Sequence, residues 1–204
     1  MEHRKKKQKK VEPESSTWAE EGDAWVYTCL KRRSYFLVAF AVGKWTQETC
    51  REMIFDVARR VQLPYDDKRI QFFSDGNDDY TYVLPDYFRV TNMDYAQLIK
   101  IREKGIVVRK EKRIIYGSPD IDDIETTDVE NMNGMMRERI GRLVRKTKCF
   151  SKLKRRLYYA ISLFQFYWDF ISEIQRRVSP AMMEGTTDRL WTWHDFFYFP
   201  INYP

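Results

Sequence analysis

The chain has 204 residues, 43% of them hydrophobic and 16% aromatic, with a formal net charge of +6 at pH 7. That is enough apolar material for one globular domain with a real core, and it excludes a disordered chain. No run approaches the roughly 20 apolar residues of a membrane span, no apolar signal segment follows the charged N-terminus, and the basic balance points to an acidic partner, nucleic acid first.

Cys29, Cys50 and Cys149 are scattered and odd in number. They argue against a disulfide framework and fit a reducing, cytoplasmic compartment. His3 and His194 are the only histidines, and no Cys/His spacing matches a structural zinc site.

Residues 1–17, "MEHRKKKQKKVEPESST", read as a basic tail: a solvated flexible arm or one that contacts phosphates. Residues 18–178 read as one α/β domain, and 179–204 as an aromatic tail packed on it, because so many exposed rings are costly. Within the domain, "DAWVYTCL" (23–30) and "YFLVAFAV" (35–42) predict an antiparallel hairpin. The second strand is apolar on both faces, as in a covered sheet. Thr46 then caps a helix carrying Cys50, Met53, Ile54, Val57, Ala58 and Val61 at helical spacing. Pro64 ends it. "RIQFF" (69–73) is the next strand, with Asp75 just past its end and Gly76 allowing a sharp turn.

Residues 98–101, 106–108 and 113–116 predict three short strands, the first turned into the second by Gly105. The last third is helical. Met132, Met136, Ile140 and Leu143 mark a helix over 129–146. Leu153, Leu157, Ile161, Phe164 and Trp168 mark a longer one with a single buried face.

Two carboxylates carry the candidate chemistry. Asp75 alone is an ordinary turn residue, and Glu130 alone is an acid stabilised at a helix N-terminus. Together, one at a strand end and one on a later helix, they form a set that can converge on a divalent cation. Ligands in such sheets gather outside the carboxyl ends of strands. Beyond Glu130, Arg137, Arg139, Arg142, Arg145, Lys146, Lys148, Lys152, Lys154, Arg155 and Arg156 are opposed only by Glu138. The imbalance is too great for helical ion pairing and predicts a polyanion-binding surface.

The pieces "GDAWVYT", "FAVGKWTQETC", "FFSDGNDDY", "DYAQLIK", "GSPD", "VENMNGMMRERIGRLVRKTKCFSK" and "SPAMMEGTTDRLWTW", in this order, resemble transposases of the insertion sequence one type over roughly residues 22–193. The resemblance implies a ribonuclease H-like mixed sheet flanked by helices, with C-terminal helices. It also implies an Asp-Asp-Glu site that binds Mg²⁺ (or Mn²⁺), cleaves DNA at element ends and joins the freed 3′ hydroxyl to a target. On these terms Asp75 and Glu130 are the second and third acids. Asn133 matches the family's Asn, and Arg137, Arg142, Arg145, Lys146, Lys148 and Lys152 lie in the DNA-contacting segment.

The family's first acid stands in an Asp-Glu-x-Trp strand upstream of "GDAW". Asp23 is the nearest candidate here, but it matches the opening of the following strand. Asn131 follows Glu130 where an Arg is usual. The expectation is a truncated transposase that binds DNA, at element ends and target, and joins strands poorly. The alternatives are a non-catalytic DNA-binding fragment that regulates transposition and an unrelated ribonuclease H-like nuclease. No membrane and no small-molecule substrate are expected, and pairing with a second copy stays open.

Overall fold

The alternation in the first hydrophobic runs builds a hairpin. β1 (Trp25–Leu30) pairs antiparallel with β2 (Leu37–Gly43), with a register break between Cys29 and Leu30. This computed structural model describes residues 22–62, 69–144, 151 and 153–200. Among the described residues, no helix is long and apolar enough to cross a membrane.

α1 (Gln47–Arg60) follows, with Thr46 accepting from the Thr49 backbone N–H as its N-cap. Its stripe of Cys50, Met53, Ile54 and Val57 packs on Val38, Ala39 and Ala41 of β2. The helix ends at Arg60, with Val61 extended. Pro64, the stop expected from the sequence, lies outside the described residues.

A second sheet begins with β3 (Ile70–Asp75). α2 (Asp79–Tyr87) returns the chain so that β4 (Met93–Glu103) runs parallel to β3, and β5 (Ile106–Tyr116) pairs antiparallel with β4. The fold is therefore mixed α/β with a mixed sheet. α2 is absent from the sequence reading: it buries only Val83 and Leu84, and Pro85 sits inside it, so its apolar period is weak.

The three short strands expected over 98–116 are instead two long ones. Lys104 and Gly105, at φ 49° and 85°, form the two-residue turn between them. β3 pairs with β4 only as far as Asp75 opposite Leu98. Beyond that point β4 and β5 stand as a two-stranded ribbon, and charged side chains on its wet faces break up the apolar runs by which strands are read.

α3 (Thr127–Arg139) and α4 (Lys154–Phe166) cover the other face of the first hairpin. Met132, Met136, Leu157 and Ile161 pack there against Leu37, Phe40 and Val42. With α1 on the opposite face, this explains why every residue of β2 is buried. α3 stops at Arg139, not Lys146. Ile140 leaves the helix with φ −105° and ψ 93°, and its side chain is buried in the core.

A wider π turn, Tyr167–Ile171, follows α4. It aims Asp169 at β2, where the carboxylate accepts from the Leu37 backbone N–H at 2.8 Å. Gln165 donates to Leu37 O, and Arg60 donates to Val38 O at 2.6 Å. The outer edge of β2 is thereby closed by side chains. α5 (Pro180–Met183) and α6 (Trp193–Phe197) complete the described chain. The segment between them lies on the π turn, with the Trp191 N–H donating to Phe170 O at 3.0 Å and Phe166 against Phe196 at 4.5 Å between ring centroids.

Candidate functional site

β3 delivers Asp75 at its carboxyl end, and the chain turns there at once into α2. Asp75 accepts from the Asn77 backbone N–H at 3.3 Å, and the Asn77 side chain accepts from the Asp79 N–H at 3.1 Å. These two Asx turns make the strand stop at Asp75. Gly76 contributes differently from expectation: it lies outside the left-handed region. What it supplies is clearance, since a Cβ there would sit 3.3 Å from Ile99 Cγ1.

Behind the turn lies a buried polar network. The Gln97 amide donates to Asn77 O at 3.2 Å and to the Tyr95 hydroxyl at 3.0 Å, and that hydroxyl lies 2.9 Å from Ser74 Oγ. Gln97 Oε1 is buried with no partner among the described residues. Spending amide hydrogen bonds on the backbone just past Asp75 fixes where the carboxylate points.

α3 supplies the opposing wall. Glu130, Asn133 and Arg137 recur at helical spacing and line one cleft together with Asp75. Met132 and Met136, on the other side of the same helix, are buried and fix its rotation. Thr28 of β1 donates to Asn133 Oδ1 at 3.1 Å, which pins α3 to the first hairpin.

The two acids sense each other. Loss of water around the Asp75 carboxyl raises its pKa; the Asn77 N–H opposes that, Glu130 adds to the rise and Lys100 offsets part of it. Burial alone would raise Glu130 as well. Hydrogen bonds from Lys100 and Thr126 outweigh it and hold Glu130 below the ordinary range. Lys100, on β4, makes the ion pair with Glu130, and Thr126 Oγ1 donates to the same oxygen at 2.5 Å. Lys100 and Thr126 are site residues that the sequence reading did not single out. For Lys100 a signal was there: it stands two residues beyond Leu98, the partner of Asp75, on the same face of β4.

Asp23 is not brought to this pair. It precedes β1, its carbonyl accepts from Lys44 Nζ at 3.3 Å, and it is not among the described residues lining the cleft. No group of three or more His, Cys, Asp or Glu side chains that could hold a metal occurs among the described residues. The donor set present is thus two carboxylates, hard oxygen ligands of the kind Mg²⁺ shares with substrate phosphates and water.

Basic side chains frame the cleft. Lys100, Arg102 and Arg137 line it, and Arg109, Lys110, Lys112 and Arg113 stand exposed along β5. Arg142 lies not on a helix but in the turn after α3, where it donates to Ser151 Oγ at 3.2 Å. Arg145, Lys146, Lys148 and Lys152 lie outside the described residues. No protein-family model, no curated protein and no solved structure matches the chain.

Proposed function

We propose that this chain is a DNA strand-transfer protein of the insertion sequence one transposase type, on a ribonuclease H-like domain, with Asp75 and Glu130 as its metal-holding acids. One observation carries the reading: a strand-end acid and a helix acid face a single cleft, their charges coupled, with cationic side chains around the rim. The order of sequence pieces resembling that family supports it.

Asp75 and Glu130 fit a divalent cation that completes its shell with water and DNA phosphate oxygens. Such a cation, when bound, activates an attacking oxygen and stabilises a leaving one. The chain's own residues do the rest. Thr126 and the Asx turn orient the two carboxylates, Asn133 holds α3 in place, and Arg102, Arg137 and the ribbon bind phosphate backbone without reading sequence.

The test is strand joining in Mg²⁺ or Mn²⁺ on DNA carrying the element's ends. The expected result is DNA binding that weakens steeply with salt, and joining that is weak, because only two acids meet in the cleft. Robust joining that Asp23→Ala abolishes would overturn the assignment of the site.

A second reading has its own observation. The Lys100 ammonium already sits on Glu130, as it would in a protein that binds DNA without metal and regulates transposition by occupying ends. The two part on metal affinity: the enzyme-derived site takes up Mn²⁺ and loses it in Asp75→Asn, whereas the pure binder takes up none.

A further inference from the structure

The molecule has two sheets and therefore four strand edges, and it treats them in two ways. The outer edge of β2 is closed by Asp169, Gln165 and Arg60. The outer edge of β5 carries Arg109, Lys110, Lys112 and Arg113, the charged pattern by which proteins discourage pairing at an edge. The inner edges, of β1 and β3, have neither device. Neither strand contains a lysine, an arginine or a proline. Among the described residues no strand pairs with the free side of either.

These two open edges border the same space. All six residues of β1 and all six of β3 line one cleft of about 1090 Å³. Its two faces are also bounded. Met53, Ile54 and Val57 of α1 close one, and Asn133 and Arg137 of α3 close the other. Tyr27, Ile70 and Phe72 belong to the core on the α1 side, but Ile70 and Phe72 are only partly buried. β2, by contrast, is buried throughout. The missing burial on β3 is what a neighbouring strand would supply.

We infer that this cleft is a docking site for one extended segment of a separate polypeptide, which enters between β1 and β3 and joins the two sheets into one. The chemistry of the walls specifies the occupant. Only a peptide backbone offers N–H and C=O groups on both of its sides, at the spacing two strand edges require. Side chains facing α1 must be apolar, and alternate ones facing α3 polar, since a strand's side chains alternate. About six residues span strands of this length. The middle of the segment is uncharged, because the central lining is apolar and the charged groups lie at the Asp75 end. The chain's own residues 1–17 do not meet that description: nine are charged, and Met1 and Val11 are their only large apolar side chains. The inference does not depend on the metal reading.

The experiment uses the full chain with a capped heptapeptide of alternating valine and threonine joined ahead of Met1 by a flexible Gly/Ser linker. Tethering supplies an effective concentration in the millimolar range, so that weak intrinsic affinity cannot hide docking. Amide hydrogen exchange is read in residues 25–30 and 70–75, against the untethered chain and against a tethered peptide N-methylated at alternate residues. Exchange in both strands together is expected to slow by about tenfold or more, as for a ligand at about ten times its dissociation constant. N-methylation, which removes the donors, is expected to cancel the effect. Slowing in one strand only, or in neither, overturns the inference. So does full protection of both strands before any peptide is attached, which would show that the chain itself fills the cleft. Protection that appears without peptide as protein concentration rises would assign the cleft to a second copy, and the inference would fall.

Discussion

Asp169 and Asp75 are both carboxyls whose pKa is raised chiefly by loss of water, yet they sit in contrasting settings. Asp169 is buried against β2, spends an oxygen on the Leu37 N–H, and has its pKa pushed up to about 8. No second acid enters its surroundings. Asp75 is open to a cleft, accepts only the local Asn77 N–H, and shares its field with Glu130 and Lys100. A raised pKa alone therefore does not mark function. What separates the two is the number of unspent oxygen lone pairs aimed at shared space: Asp169 closes an edge, and Asp75 leaves its capacity for something else.

The sharpest way to break this comparison is to remove the charge from each acid in turn and read metal and stability separately. Asp75→Asn and Glu130→Gln are expected to weaken Mn²⁺ binding by about 100-fold or more, following loss of one of two charged ligands, while changing the melting temperature little. Titration calorimetry reads the first and a thermal scan the second. Because the Asp75 pKa is raised, protons compete with the metal above the ordinary carboxylate range, and affinity should climb as pH rises through that raised value. If Asp169→Asn weakened Mn²⁺ as much as Asp75→Asn did, the distinction would be wrong.

At Asp169 the large effect should fall on stability. Asp169→Ala leaves the buried Leu37 N–H without an acceptor and is expected to cost about 1–3 kcal/mol. Asp169→Asn keeps an accepting oxygen and should cost less. The pH dependence has a definite sign. The folded pKa of about 8 lies above the unfolded value of about 3.9, so the folded protein holds the proton more tightly. The stability this contributes is fully present below about pH 4 and declines as pH rises through about 8. Asp169→Asn should flatten that decline, as measured by urea unfolding at pH 5 and pH 8.

The contrast also shows what was legible in the sequence. The first hairpin, α1 with its Thr46 cap, and the α4 stripe all follow from period and capping, because their partners lie within one continuous core. The pairing of Asp75 with Glu130 in one cleft could be expected, since each acid is placed by its own element. Asp169 could not: it lies in a π turn continuing an apolar helix, and its partner is a backbone N–H 132 residues away. The end of α3 at Arg139 was missed because Leu143 continues the apolar period after the backbone has left the helix. The long β4–β5 ribbon was read as fragments because local hydropathy does not reveal a strand whose faces are wet.

The smallest expected effect tests whether Lys100 guards the site. It pairs with Glu130 while partly open to water, so the attraction is that of a half-exposed ion pair, under about 1 kcal/mol. Lys100→Met should then free Glu130 and raise Mn²⁺ affinity by about threefold. If the same ammonium also meets DNA, the log–log salt slope of DNA binding should become shallower by about 0.9, one phosphate contact. The two readouts separate the roles. A gain in metal affinity with an unchanged salt slope makes Lys100 a counterion that a metal displaces. A shallower slope with unchanged metal affinity places it on the DNA track with the other ribbon cations. If neither changes, the ion pair only ties β4 to α3, and the open lone pairs that set Asp75 apart from Asp169 must be explained without it.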